Sequence, residues 1–441
     1  MAEDRVLAKE ATQLMFQRIV EPWSDSFEPA LVDSYVQFMS EVVLARRSPI
    51  AAKLAELGYF RAEQLRDRYD AVCKDKSIYF PYEEGDEDEE EDVVEKAIVI
   101  SRVTLGADVA VSSVFLRAAH LSFSDAEIEF IGPEKNALLL GNGHAVGRRV
   151  VSYSRSALLA DRLRAWLRLR KAVARSVEGL RPGEWFVIDT DSRFTQLGLL
   201  PVTDDNYYGF FPSRAYPQDD ERPLASLAAG AWRVGTGWHP PERFSPFVFA
   251  RDTGHTMAGD LSRGPGAFKL RAAVSLGVGG RETKRLGGEF ESALLELLRK
   301  LDFQILLDYG AGELEARNVD GLVAGFSGSA IHMAARHGRR STSADLVTIR
   351  GSLGTLAGWV RAADVFIGYD SAAAHVAASR HVRVVEVFAG APNEVFRMRW
   401  TPFGSDWVRV IPADGPADAP SVLARIEKEL IEVREERGWY E

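Results

Sequence analysis

The sequence holds one cysteine, Cys73, among 441 residues. That excludes an internal disulfide framework and a cysteine-rich zinc site, and it fits a reducing compartment. Basic residues are outnumbered, 54 Lys and Arg against 64 Asp and Glu, for a net charge of -10. This argues against a general nucleic-acid-binding surface and leaves anion binding to local patches. No uninterrupted apolar run is long enough to span a bilayer, and the opening MAEDRVLAKEATQ has neither the basic region nor the apolar core of a secretory signal. A cytoplasmic location is therefore expected, with any membrane contact peripheral, at the inner face. His144, His239 and His255 show no metal-ligand spacing, and no short-period repeat is visible. What the chain does have is 46% hydrophobic and 10% aromatic content, enough for a sizeable core, and a length that suggests two or three domains.

From Asp4 to about Asp75, apolar residues recur at helical spacing, punctuated by Pro22, Pro29 and Pro49. The run EEGDEDEEED, Glu83 to Asp92, follows; its mutually repelling carboxylates resist compaction and read as a linker, or alternatively as an acidic docking tail or metal buffer. Beyond it, short apolar runs such as KAIVISRV, AEIEFIGP and EWFVIDTD alternate with helical stretches, the pattern of parallel strands joined by crossover helices. A segment rich in Pro, Gly and aromatics, Pro201 to about Lys269, interrupts the alternation, which resumes with LRAAVSLGVGG, FQILLDYG, ADVFIGYD and RVVEVFAGAP. The expected organisation is a helical appendage ending in the acidic linker (1–92) and two α/β halves (93–268 and 269–441).

Several strand ends carry chemistry. In ADVFIGYDSAAAHVAAS an apolar strand ends at Asp370, Ser371 is placed to cap a helix, and His375 follows four residues later on the same helix face. Ligands collect at such carboxyl ends, where the helix N-terminus offers free N–H groups to an anion; the plainer reading is that Asp370 and Ser371 only cap the helix and that His375 packs. SLGVGGRETKRLGG, with Gly279, Gly280 and Lys284, reads as a glycine-rich turn that admits a diphosphate beside a compact positive charge, or as a flexible basic loop. Asp108, in the loop after the first strand, is placed as a general base or as a turn cap. Asp189 and Asp191 in IDTDS have the Asp-x-Asp spacing that holds a divalent cation in one class of glycosyltransferases; with two α/β halves already present, no metal site is expected there. The basic stretch RLRAWLRLRKAVAR, Arg162 to Arg175, is either a crossover helix with a solvated basic face or a contact for anionic lipid.

Taken in order, these elements resemble the ADP-heptose:lipopolysaccharide heptosyltransferase family, glycosyltransferase family 9, from about Ala97 to Gly404. DSAAAHVAASRHVRVVEVFAGAPNEVFRMRWTPFG is similar to its C-terminal signature at Asp370, Ser371, His375, Phe388, Trp400 and Pro402, with Ala372, Ala389 and Ala391 where the family usually has Gly, Gly and Thr. RVTLGAD is similar to its first loop from Arg102 to Asp108, with Ala107 in place of Gly. Lys284 stands at the position of its Lys-x-Trp-Pro motif, with Leu286 and Gly287 replacing Trp and Pro, and GAGELEARN resembles its Gly-x-x-x-Glu turn.

The resemblance implies an α/β, GT-B fold of two facing Rossmann-like domains, the first for the acceptor and the second for the donor. It implies transfer of a heptose or related sugar from an ADP-linked donor to a hydroxyl of a glycan or glycolipid, by inversion and without a metal or other cofactor. Asp108 then takes the acceptor's proton. Lys284, Gly279, Gly280, Ser371, Ala389 and Gly390 hold the diphosphate, Asp370 and His375 position the donor, and Glu313, with Glu315 competing, bonds the ribose. The substitutions keep open a silent relative that binds a nucleotide sugar or glycan as a scaffold, with residues 1–92 contacting a protein partner, and an epimerase of the same architecture.

Overall fold

The computed structural model describes residues 2–45, 48–74, 94–141, 145–155, 157–241, 244–249, 270–279, 281–310, 312–333 and 344–436. The acidic run Glu83–Asp92, Gly280, His144, His255 and the end of the irregular segment, residues 250–269, lie outside them. The chain forms two compact units. The first comprises Met1–Phe244 with Pro392–Trp400, and the second Ser245–Ala391 with Thr401–Glu441.

The first unit is built on five strands, β1 (Lys96–Ile100), β2 (Glu127–Gly132), β3 (Gly147–Val150), β4 (Trp185–Asp189) and β5 (Tyr208–Phe210), in the order β3-β2-β1-β4-β5 and all parallel. β1 and β4 are buried along their whole length, which is why their sequences are continuous apolar runs rather than alternating ones. The order reverses direction between β1 and β4, so the carboxyl ends of these two strands flank the topological switch point.

The sequence reads residues 1–92 as an appendage; in the fold the apolar faces of residues 2–45 and 48–74 join the core of this unit. Pro29 occupies the first turn of its helix, where a missing N–H has no cost, and Pro22 follows the π-helical turn Phe16–Val20 within one continuous helical run. Phe16, Val20, Tyr35, Met39, Val43, Leu54 and Leu65 pack in one cluster with Ile98, Ile100, Leu163, Trp166 and Val187. Fully burying each such side chain contributes about 1.5–3 kcal/mol. Arg68 fastens the layer from helix Ala62–Cys73. Its guanidinium is nearly buried, donates to both oxygens of Asp205 at 2.5–3.0 Å and to the Gly198 carbonyl at 2.8 Å, and lies 5.1 Å from the centre of the Tyr208 ring.

The basic helix Leu159–Ser176 spends part of its charge inside the same unit. Arg162 stacks on Phe16 at 3.8 Å, and Arg170 donates to the Pro201 carbonyl at 2.7 Å beside Trp166. No helix among the described residues is long and apolar enough to cross a membrane.

The second unit carries β6 (Leu270–Ser275), β7 (Phe303–Asp308), β8 (Ala330–Met333), β9 (Leu346–Ile349), β10 (Val365–Tyr369), β11 (Arg383–Ala389) and β12 (Val408–Ala413). Their order is β12-β11-β10-β6-β7-β9-β8, again all parallel, with the switch point between β6 and β10. One face packs against helices Gly288–Lys300 and Ala419–Glu436 through Val274, Leu294, Leu298, Ile367, Val387, Ile426 and Leu430. The two doubly wound parallel sheets are those expected from the alternation of strand and helix in the sequence.

Candidate functional site

In the second unit, Lys284, Asp370, Ser371, His375, Ala389 and Gly390 gather at the carboxyl ends of β6, β10 and β11. Asp370 directly follows β10 and Ser371 is the N-cap of helix Ala372–Ser379 in extended conformation. The Ser371 hydroxyl makes no capping bond; its oxygen is buried and has no hydrogen-bond partner. A buried hydroxyl without a partner at a helix N-terminus is costly unless something else occupies it. Lys284, in a short helical turn of the loop after β6, forms an ion pair with the Asp370 carboxylate and approaches the Asp370 carbonyl at 3.5 Å. Gly390, just after β11, has φ 65°, and a Cβ there would stand 2.8 Å from the Thr283 carbonyl. The Lys284 loop thus rests directly on the turn after Ala389, and only glycine allows that approach.

His375, one turn into the helix, is buried, and burial holds its imidazole down to about 4, against Asp370, which pulls the other way. It is therefore neutral at pH 7. Gly279 has φ 59° in the loop before Lys284, and Ala389 is completely buried. Gly280 lies outside the described residues.

Of the two glutamates in the turn after β7, Glu313 points away. Its side chain is 92% exposed and its partner is Arg317 at 3.8 Å. Glu315 folds back to accept from the Gly312 N–H at 3.1 Å, and its carboxylate lies against Gly277 and Gly310 at the ends of β6 and β7. Nearby, the Ser275 hydroxyl donates to Asp308 at 3.0 Å, and burial pushes the Asp308 carboxyl up to about 6.

The equivalent ends in the first unit are more tightly closed. Asp108 is completely buried and accepts four hydrogen bonds, from the Ser101 and Ser112 hydroxyls (2.5 and 2.6 Å), the Arg102 N–H (2.6 Å) and the Asn136 amide (2.5 Å). Burial raises its carboxyl above the ordinary range against the pull of these donors. In this arrangement the carboxylate anchors the loop after β1 and shows no open face. Val103, a β-branched residue, is held at φ 75°, and Asp191, after β4, at φ 72°. Strained backbone of this kind persists only where the surroundings over-determine it, and it concentrates at functional sites.

The Asp-x-Asp carboxylates are separately engaged. Asp189 accepts from Thr195, Tyr208 and the Ser192 N–H, and burial pushes it up to about 6. Asp191 is bonded by Arg214 and Ser213, with Arg102 at 3.6 Å. The two side chains therefore do not converge on one point, and no group of three or more metal-ligating residues occurs among the described residues.

Two buried groups, and a third at a strand end, carry no motif that points to them. Glu386 lies in mid-β11; Asp308 ends β7; Arg399, wholly buried, donates to the Pro217, Asp220 and Arg222 carbonyls. The one available signal is a lone Glu in the apolar run VRVVEVFA, where a strand covered on both faces normally has none.

No protein-family model matches the chain, and no curated protein matches its sequence. Solved structures do match its fold. A glycosyl transferase family 9 protein from Veillonella parvula superposes with a TM-score of 0.53 over 78% of this chain and 96% of its own, at 13% identity. The E. coli heptosyltransferase WaaC, solved with ADP, gives 0.50 over 76% of this chain and 99% of its own, at 16% identity. E. coli ADP-heptose lps heptosyltransferase II gives 0.50 over 78% and 99%, at 15% identity. The chain therefore has the α/β fold of the GT-B glycosyltransferases, with two doubly wound parallel sheets.

Proposed function

We propose that the protein is a glycosyltransferase that moves a heptose or related sugar from an ADP-linked donor to a hydroxyl of a glycan or glycolipid, with inversion and without a metal. The observation that carries this reading is the junction after β10: an unpartnered buried Ser371 hydroxyl at a helix N-terminus, beside the Lys284–Asp370 pair, at the switch point of a parallel sheet. N–H groups of that helix terminus and the Lys284 ammonium are suited to the diphosphate, on which negative charge grows as the sugar leaves. Neutral His375 and Asp370 position the donor. Glu315, rather than Glu313, takes the ribose, because only Glu315 lies against the glycine turns. Asp108 takes the acceptor's proton, which requires the loop Ser101–Asp108 to shift so that one of its four donors yields to the acceptor hydroxyl.

The closed state of Asp108 favours one second reading, a binder of nucleotide sugars without transfer. Calorimetry with ADP in the absence of metal tests the shared part. Lys284→Ala is expected to weaken binding about tenfold to a hundredfold, the loss of one charge-assisted contact of about 1.5–3 kcal/mol. Unchanged affinity removes Lys284 from the site. Release of ADP from an ADP-sugar, dependent on Asp108, separates transferase from binder.

A further inference from the structure

Glu386 lies at the middle of β11, opposite Gly368 of β10 and Val410 of β12. Val385, Val387 and Ala389 turn to the core face, so strand alternation sends Glu386 to the other, which helix Ala372–Ser379 covers with buried alanines at 373, 374, 377 and 378. The glutamate is completely buried, and neither carboxyl oxygen has a hydrogen-bond partner. After burial itself, its ionisation is opposed by Asp370 and favoured by Lys284, the same two groups that act on His375. Asp370 sits against β11 one residue along from Glu386, its N–H donating to the Val387 carbonyl at 3.1 Å, and its carboxylate is paired with Lys284. Burial first, and then Asp370, hold the Glu386 carboxyl well above its ordinary range, so it keeps its proton, and its O–H has no acceptor.

A diphosphate at the helix N-terminus competes for the Lys284 ammonium, and Asp370 is then left as a buried anion beside an incoming anion. We infer that Glu386 is a positioning residue of the donor site, whose O–H holds the Asp370 carboxylate when a nucleoside diphosphate draws Lys284 away. The inference rests on the reading of this junction as a diphosphate cradle. It gives a reason for a carboxylic acid in a strand where sheet packing alone selects valine.

The test is ADP binding to the full chain by calorimetry, without metal, for wild type, Glu386→Gln, Glu386→Leu and Glu386→Met, with melting temperatures alongside. Gln keeps the shape and an N–H donor, and is expected to bind within about threefold of wild type. Leu and Met fill the volume without a donor. They are expected to bind at least about tenfold more weakly while melting at or above wild type, because an unpartnered buried polar group has gone. Met, unbranched like glutamate, serves if Leu does not fold. Wild-type affinity in the folded apolar variants overturns the inference and leaves the cradle intact, as does a Gln variant as weak as the apolar ones. A wild-type protein that binds no ADP overturns both.

Discussion

Replacing Asp108 by Asn separates anchoring from chemistry, because the four donors around the carboxylate make the cost calculable. An amide offers one acceptor oxygen where the carboxylate offers two. The hydroxyls of Ser101 and Ser112 can rotate to accept, whereas the Arg102 N–H cannot, so the amide oxygen must face Arg102. The new NH2 then faces Ser101 and the Asn136 amide. Asn136 must either lose its acceptor or flip and give up its bond to the Val103 carbonyl at 3.3 Å. One buried donor left unpaired, together with weaker neutral bonds in place of charge-assisted ones, costs about 2–4 kcal/mol. For a unit of this size that lowers the melting temperature by roughly 5–15 °C. Thermal unfolding of the first unit, followed by near-ultraviolet circular dichroism, checks the shift. A variant melting within about 2 °C of wild type refutes the four-bond account. ADP affinity is expected to be unchanged, since the donor residues belong to the second unit; transfer measured where the variant is folded then reports the base role alone.

Arg68→Met removes a nearly buried cation from its bonds to Asp205 and Gly198 and is expected to destabilise the first unit by about 3 kcal/mol, read by chemical denaturation, without altering ADP affinity. Asp308 has its folded pKa raised to about 6 from 3.8, so its contribution to stability is present below pH 4 and is lost as pH rises to 6. At about 1.4 kcal/mol for each pH unit, the stability of wild type relative to Asp308→Asn falls by about 3 kcal/mol across that interval; a difference that is constant with pH contradicts the burial of this carboxyl.

Much of the fold was legible in the chain because fully buried parallel strands must be written as short apolar runs, and KAIVIS, EWFVID, LRAAVS and VFIGYD are such runs. Strand ends were legible for the same reason: the first polar residues after an apolar run, Asp370 and Ser371 among them, fall at the carboxyl edge where ligands collect. Which carboxylate faces inward was not legible. Glu313 and Glu315 are two residues apart, and only the turn of the helix beginning at Glu313 sends one to Arg317 and the other to Gly277 and Gly310.

The sequence by itself determined the two α/β halves, the anionic balance and the positions of the strand-end polar residues, since these follow from local composition and period. Only the tertiary structure decided that the N-terminal helices share a core with the first sheet, because apolar stripes on helices do not name their partner. It likewise decided that Asp108 is saturated and that Lys284 meets Asp370 across 86 residues of chain. The burial of Glu386 without a partner belongs to the same class, since strand order sets the neighbours of a side chain, and strand order is a property of the sheet rather than of any segment in it.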